Sequence, residues 1–217
     1  MPAPGTVLVA LSQHLTEGNL LFHLAATLAR VLAAFAVAMV VGSIMGIAMG
    51  RWRRADYSLD GALVLGLNIP ALVIIILCYV WFGLTEAAAI LAVSINKIPT
   101  VAVTMREGAR AVDRQLMDVA TAFDLPPSRT LRKVYLPQLY PYFMAAARSG
   151  LALTWKVVLV VELLGRSSGV GFQLGLFFQM FDIAGILAYT LAFAAVILTL
   201  EAAVLRPADR RVARWRA

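Results

Sequence analysis

The residues of this chain that could do chemistry fall into three sets. The first is Gly165-Arg166-Ser167-Ser168-Gly169, which matches the G-x-S-x-G turn that presents a nucleophilic serine in hydrolases. That chemistry needs a general base and a strand leading into the turn. The two histidines, His14 and His23, both precede the apolar part of the first hydrophobic stretch. The segment therefore reads as a glycine-rich extracytoplasmic turn, and no residue is assigned a catalytic role. The second set is a lone cysteine, Cys78, inside the apolar run 71–80, so neither an internal disulfide nor a metal cluster is expected. The third set comprises charges embedded in apolar sequence: Arg30, Lys97, Arg148, Lys156 and Glu162.

A cation near the centre of a bilayer costs about 2.5–3.5 kcal/mol on insertion scales, so such residues usually face protein or water. Lys97 sits in Asn96-Lys97-Ile98-Pro99, where the proline frees a backbone carbonyl and is expected to interrupt its helix. There it either attracts an anionic solute or pairs with Glu162 for structural reasons. Arg148, Trp155 and Glu162 are spaced seven apart. Seven residues drift only about 20° around a helix, so the three are expected to share one stripe. Ala145, Ala146, Ala147, Ser149, Gly150 and Ala152 surround its start, and small residues let helices approach closely. With Lys156 alongside, the stripe either meets a partner subunit or lines a solute path, or else Arg148 and Glu162 snorkel to opposite headgroup layers. Arg30 reads as an interfacial or intersubunit residue.

Elements must hold these residues, and composition says in which solvent. Of the 217 residues 61% are hydrophobic and 14% charged, and the mean hydropathy is +0.83. Soluble domains are roughly 45–50% apolar and about 25% charged, so lipid must cover much of this surface. The net charge of +7 is not laid out as a basic surface interleaved with aromatics, which argues against nucleic acid as a partner. About 20 apolar residues are needed to cross the hydrocarbon core. Five stretches qualify: 22–50, 61–84, 87–105, about 142–164 and about 184–200. Fourteen of the nineteen cations follow the first, third or fifth stretch. The positive-inside rule then places those ends, and the C-terminus, in the cytoplasm. The expected organisation is an extracytoplasmic segment 1–20, a membrane domain 21–205 and a basic tail 206–217. That tail would fix topology, and its arginines could bind anionic lipid at about 1 kcal/mol per cation.

The longest polar segment is the loop 106–138. Within it Val112, Leu116, Val119, Ala120 and Phe123 recur at three- and four-residue steps, which predicts an amphipathic helix. That helix should stop at Asp124-Leu125-Pro126-Pro127, and a second short helix, 126–135, should end at Leu136-Pro137. A helix, a corner and a helix projecting from a membrane suit docking into a groove on a soluble partner.

The same loop resembles that of the permease subunits of ATP-binding-cassette importers, which carry an EAA motif, a Gly four residues after its last Ala, and a closing Leu-Pro. The matching residues are Asp118-Val119-Ala120, Asp124 and Leu136-Pro137, with Asp124 standing where the family has Gly and expected to cap the second helix. His23 to Arg54, Asn68-Ile69-Pro70, Trp81-Phe82-Gly83, Trp155-Lys156-Val157-Val158, Glu162-Leu163-Leu164-Gly165 and Ser168-Gly169-Val170-Gly171 look like the branch that imports nitrate, sulfonates and taurine. The resemblance covers about residues 20–205; relatives have one further span first, here absent or reduced to residues 1–20. It implies an all-α membrane protein with five core spans of the type I importer fold and a cytoplasmic coupling helix, in a bacterial inner membrane. It further implies pairing with a second permease, expected as a homodimer, and delivery of solute by an extracytoplasmic binding protein. The coupling residues would be Asp118, Val119, Ala120, Asp124, Leu125, Pro126, Leu136 and Pro137. Chemistry would fall to a separate ATPase subunit, which binds the ATP and Mg, leaving this chain no cofactor or metal of its own.

Overall fold

The structure is a computed structural model that describes residues 2–205. The basic tail, with Arg206, Arg210, Arg211, Arg214 and Arg216, lies outside the described residues. A short helix α1 (Pro4–Thr16) opens with a proline in its first turn, where no backbone donor is needed. It lies along the last span, its His14 ring 5.2 Å from Phe177 and 5.3 Å from Tyr189. The first span, α2 (Leu20–Arg51), is 32 residues long.

The stretch expected to form one continuous second span is instead α3 (Arg53–Asn68) and α4 (Ala71–Phe82), bent by 101°. Pro70 disfavours helical backbone at the residue before it, and Ile69 is extended with ψ 126°. Asn68 Nδ2 folds back to donate to the Val64 carbonyl at 2.7 Å, within the last turn of α3. By contrast α5 (Glu86–Arg110) runs straight through Pro99, and the interruption expected there does not occur. Neighbours on α2, α3, α4 and α8 hold it across the missing hydrogen bond. Thr85 caps its start, accepting from the Ala88 N–H at 3.1 Å.

Next come α6 (Arg114–Ala122) and α7 (Pro127–Thr130), a wide π-type turn (Leu131–Tyr135), α8 (Leu136–Gly165), α9 (Val170–Gln179) and α10 (Ile183–Leu200). A second π-type turn, Glu201–Leu205, follows. Among the described residues four segments are long and apolar enough to cross a membrane, and the bent pair α3–α4 makes a fifth.

The closest pair is α2 and α5, which run parallel. Gly42, Gly46 and Gly50 lie on one face of α2, and a Cβ on them would strike Val101, Met105 and Ala109 respectively. Small residues every four positions let two backbones touch, the usual way helices associate where lipid removes the hydrophobic incentive. α8 packs antiparallel on α5, with the Tyr142 ring over Gly108. Val31, Ala34, Ile75, Ala92, Val158 and Tyr189 fill the core toward one end, while Met39, Val101, Met105 and Leu139 fill it toward the other. Leu21, Phe22, Ile44, Val80 and Trp81 stay exposed, as a lipid-facing coat requires.

The described basic residues that the sequence places together do share one end. Arg106 pairs with Asp56 (2.7 Å) and Asp60 (2.8 Å), and Arg110 with Asp56 (2.6 Å), tying α5 to the start of α3. The Arg51 guanidinium stands 5.8 Å over the Tyr135 ring, bringing the end of α2 to the π turn.

Candidate functional site

Two constructions stand out, one at each end of the bundle. At the basic end the loop builds α6 as a fixed projection. Asp113 caps it by accepting from the Gln115 N–H at 2.8 Å, and its own N–H donates to Gln138 Oε1 at 2.8 Å. Gln138 Nε2 in turn donates to the Val134 carbonyl at 2.9 Å, so one carboxamide fastens the start of α6 to the base of α8. At the far end of α6 the Asp124 N–H donates to the Thr121 carbonyl and the Leu125 N–H to that of Ala120, both at 3.0 Å. This bond pair is a Schellman closure, and Asp124 occupies its left-handed position with φ +47°. Asp124 therefore ends α6 and does not cap the helix that follows, whose N-cap is Pro126 without a side-chain bond. Glycine reaches that backbone conformation without strain, which accounts for Gly at the equivalent position of the motif.

The second helix also departs from expectation, because it does not stop at Leu136-Pro137. Pro127–Gly165 is one run of 39 residues. In the π turn the Leu136 N–H reaches five residues back to the Leu131 carbonyl, and the widened ring makes room for Pro137 just after it. Ala120 is buried against this region, and Leu125 and Val112 are half-buried. Asp118, Pro126 and Leu136 are exposed. So are Leu116, Val119 and Phe123, the last at 77%, which leaves one apolar face of α6 uncovered.

At the opposite end Glu162 is fully buried (0% exposed) and Arg30 nearly so (5%). Arg30 Nη1 donates to Glu162 Oε1 at 2.6 Å and to the Ser168 carbonyl at 2.7 Å. Its Nε and Nη2 make a bidentate pair with Glu86, both at 2.7 Å, and Nη2 also reaches Ser168 Oγ at 2.7 Å. Glu162 Oε2 accepts from Thr27 Oγ1 and from the Gly171 N–H, each at 2.9 Å. Arg166 donates to the Leu84 carbonyl and, at 2.6 Å, to Glu86. His23 Nδ1 accepts from the Gly169 N–H at 3.0 Å, which puts the ring proton on Nε2, and the Gln173 carboxamide 2.8 Å away accepts it when its oxygen is the end turned to the ring. Gly169 has φ +112°, and a Cβ there would fall on the Glu162 carboxylate. The G-x-S-x-G segment is thus a lid folded over a buried ion cluster. Ser167 is exposed, and Ser168 Oγ serves Arg30 as an acceptor.

This cluster corrects two expectations. Arg30 is turned inward as the partner of Glu162 within this chain, where an interfacial or intersubunit place was expected, and Lys97 does not pair with Glu162. The expected stripe on α8 also divides: Trp155 and Glu162 face the core, Trp155 edge-on to Phe193 at 5.5 Å, whereas Arg148 and Lys156 are exposed. Lys97 is 6% exposed on α5. Sequence reasoning gave Thr27 and Glu86 no role and weighed His23 and Ser168 only for hydrolysis or as part of the resemblance. A usable signal existed, since Arg30 and Glu162 are the charges of the first and fourth stretches set farthest toward the Arg166 end.

Residues 38–212 match the binding-protein-dependent transport system inner membrane component. The chain belongs to that family. As a permease of this kind it is a multi-pass inner-membrane transport component. It is 28% identical to SsuC of Bacillus subtilis, named for aliphatic sulfonates transport, over all of this chain and 78% of that protein. It is 28% identical to the taurine transport system permease protein TauC of Escherichia coli, over 99% of this chain and 80% of TauC. The bicarbonate transport system permease protein CmpB of Synechococcus elongatus is 26% identical over 85% of this chain and 67% of CmpB. Its fold matches a chain of the inward-facing MetNI methionine ABC transporter with a TM-score of 0.75 at 17% identity, covering 90% of this permease and 95% of that chain. It also matches an amino acid ABC transporter crystallised with histidines, with a TM-score of 0.74 at 18% identity over 93% and 97% of the two chains.

Proposed function

We propose that this permease is the translocation subunit of an ATP-driven importer for a small solute of the sulfonate, taurine or nitrate kind, and that α6 is its coupling helix. The observation that carries this reading is the uncovered face Leu116, Val119 and Phe123 on a projection clamped at both ends. An apolar helix face with a rigid foundation suits a groove on a soluble partner. The partner is an ATP-hydrolysing subunit, which holds the ATP and Mg; the permease supplies no catalytic group and no cofactor site.

The basic end then faces the cytoplasm, along with the C-terminus, and the end with Arg166 and Glu86 faces the binding protein that delivers solute. Two copies of the permease enclose the path between them. ATP binding closes the ATPase pair, the docked helices follow, and the permeases open toward the outer face. Asp118, Val119 and Ala120 belong to the docking segment, Asp124 and Leu125 shape its end, and Leu136 and Pro137 join it to α8.

The test is to purify the importer from its own membranes with wild-type permease and with Phe123→Asp. The expected result is that the ATPase accompanies the wild type and is lost from F123D, at least tenfold, while the variant permease stays folded. Equal recovery of the ATPase from both would overturn the assignment. Phe123 is the better position for this test than Leu125, because Leu125 also closes α6.

A further inference from the structure

Lys97 is the twelfth of the 25 residues of α5, with eleven residues of the helix before it and thirteen after. It is 6% exposed, and among the described residues it makes no hydrogen bond or ion pair. The acids that might have neutralised it are committed elsewhere. Glu162 is held by Arg30, Thr27 and Gly171, and Glu86 by Arg30 and Arg166. Glu86 lies eleven residues up the helix, about 16 Å away at 1.5 Å per residue. Asp56 and Asp60 are taken by Arg106 and Arg110 near the other end of α5.

Two more side chains beside Lys97 are in the same condition. The Asn96 carboxamide and the Thr100 hydroxyl, one helical turn apart and half-buried, form no hydrogen bond among the described residues. Thr104, one turn further, shows the alternative that Thr100 forgoes, donating to the Thr100 carbonyl at 3.2 Å. The bend of the broken span lies at the same depth. Gly66, just before the bend, is so close to Pro99 that a Cβ there would come within 2.7 Å of the ring. Interrupted helices at membrane depth occur where they border protein or a water-filled cavity. A cation, an amide and a hydroxyl, all without partners, beside such an interruption make an oxyanion site: the ammonium supplies charge, and the N–H and O–H groups supply directed donors.

We propose that Lys97, with Asn96 and Thr100, forms a mid-membrane binding site for an oxyanion, the charged group of the transported solute. This rests on the importer reading and names the chemistry of its path. Lys97 takes the charge, and Asn96 and Thr100 fix its orientation.

The test uses the complete importer, permease with its ATPase and binding protein, reconstituted in proteoliposomes and offered radiolabelled ethanesulfonate, taurine, nitrate and bicarbonate in turn. Wild type is expected to accumulate at least one of these. Lys97→Met should reduce that uptake at least a hundredfold and Lys97→Arg less than tenfold, with the ATPase recovered equally with both. Uptake by K97M within twofold of wild type overturns the site, as does a wild type that assembles and hydrolyses ATP yet transports none of the four oxyanion-bearing solutes. Should K97M fail to assemble, Asn96→Asp decides: a tenfold loss of uptake in an intact complex supports the site, and undiminished uptake overturns it. A wild-type permease that never binds an ATPase would instead sink the importer reading, so the two failures are distinct.

Discussion

Glu162 shows how a membrane span tolerates a carboxylate at full burial. Each oxygen is engaged, one by Arg30 and the other by Thr27 and the Gly171 N–H, and Arg30 is itself shared with Glu86. Removing one partner of a buried ion pair costs about 3–5 kcal/mol, because the survivor stays buried without compensation. The two members of this pair differ in what survives. Glu162→Gln leaves Arg30 with Glu86, whereas Arg30→Met leaves Glu162 with only neutral donors. Arg30→Met should therefore destabilise the permease by about 5 kcal/mol and Glu162→Gln by about 3, ranked by the temperature at which each loses its monodisperse peak in detergent. A reversed order would mean that Glu86 contributes little to holding Arg30.

At the scale of elements, the loop and its helices test how far pattern carries. D124G should keep the closure of α6 and raise thermal stability by up to about 1 kcal/mol, since it relieves a left-handed non-glycine residue. Asp124→Val should lower it, and the melting temperatures of the two variants check both directions. Most of the membrane architecture was legible, because runs of apolar residues and the placement of arginines report directly on lipid and topology. The amphipathic period of α6 was legible for the same reason, as was its end at Asp124. What was not legible depended on neighbours. Pro70 breaks its helix and Pro99 does not, although both follow an isoleucine in the motifs Asn68-Ile69-Pro70 and Lys97-Ile98-Pro99; the packing around α5 makes the difference. Pro137 reads as a stop, yet a π turn absorbs it. The choice of Arg30 over Lys97 as partner of Glu162 rests on the depth at which α2 and α8 meet, which spacing within one segment does not give.

For the whole molecule, the sidedness of the bundle follows from its arginines and can be read chemically. Cys78 is buried in α4, so an added surface cysteine reports alone. Ser128, just after α6, and Ser167, in the lid over the ion cluster, are both exposed. In intact cells whose outer membrane has been made permeable, an impermeant maleimide should label Ser167→Cys and spare Ser128→Cys until the inner membrane is opened. The opposite pattern would invert the orientation of every span.

The unbroken run from Pro127 to Gly165 has a mechanical meaning. Thirty-nine residues at 1.5 Å each make a rod about 58 Å long, anchored near one tip by α6 and ending at the other beside Glu162. The π turn, Pro137 and Pro141 are the places where such a run could bend, yet the helix continues through all three. If it pivots by about 5°, one end sweeps about 5 Å relative to the other, a distance on the order of one helical turn. The π turn that lets Pro137 pass is thus a splice that keeps both ends of the run in one piece, so that in the coupling proposed above a push on α6 would be carried toward Glu162.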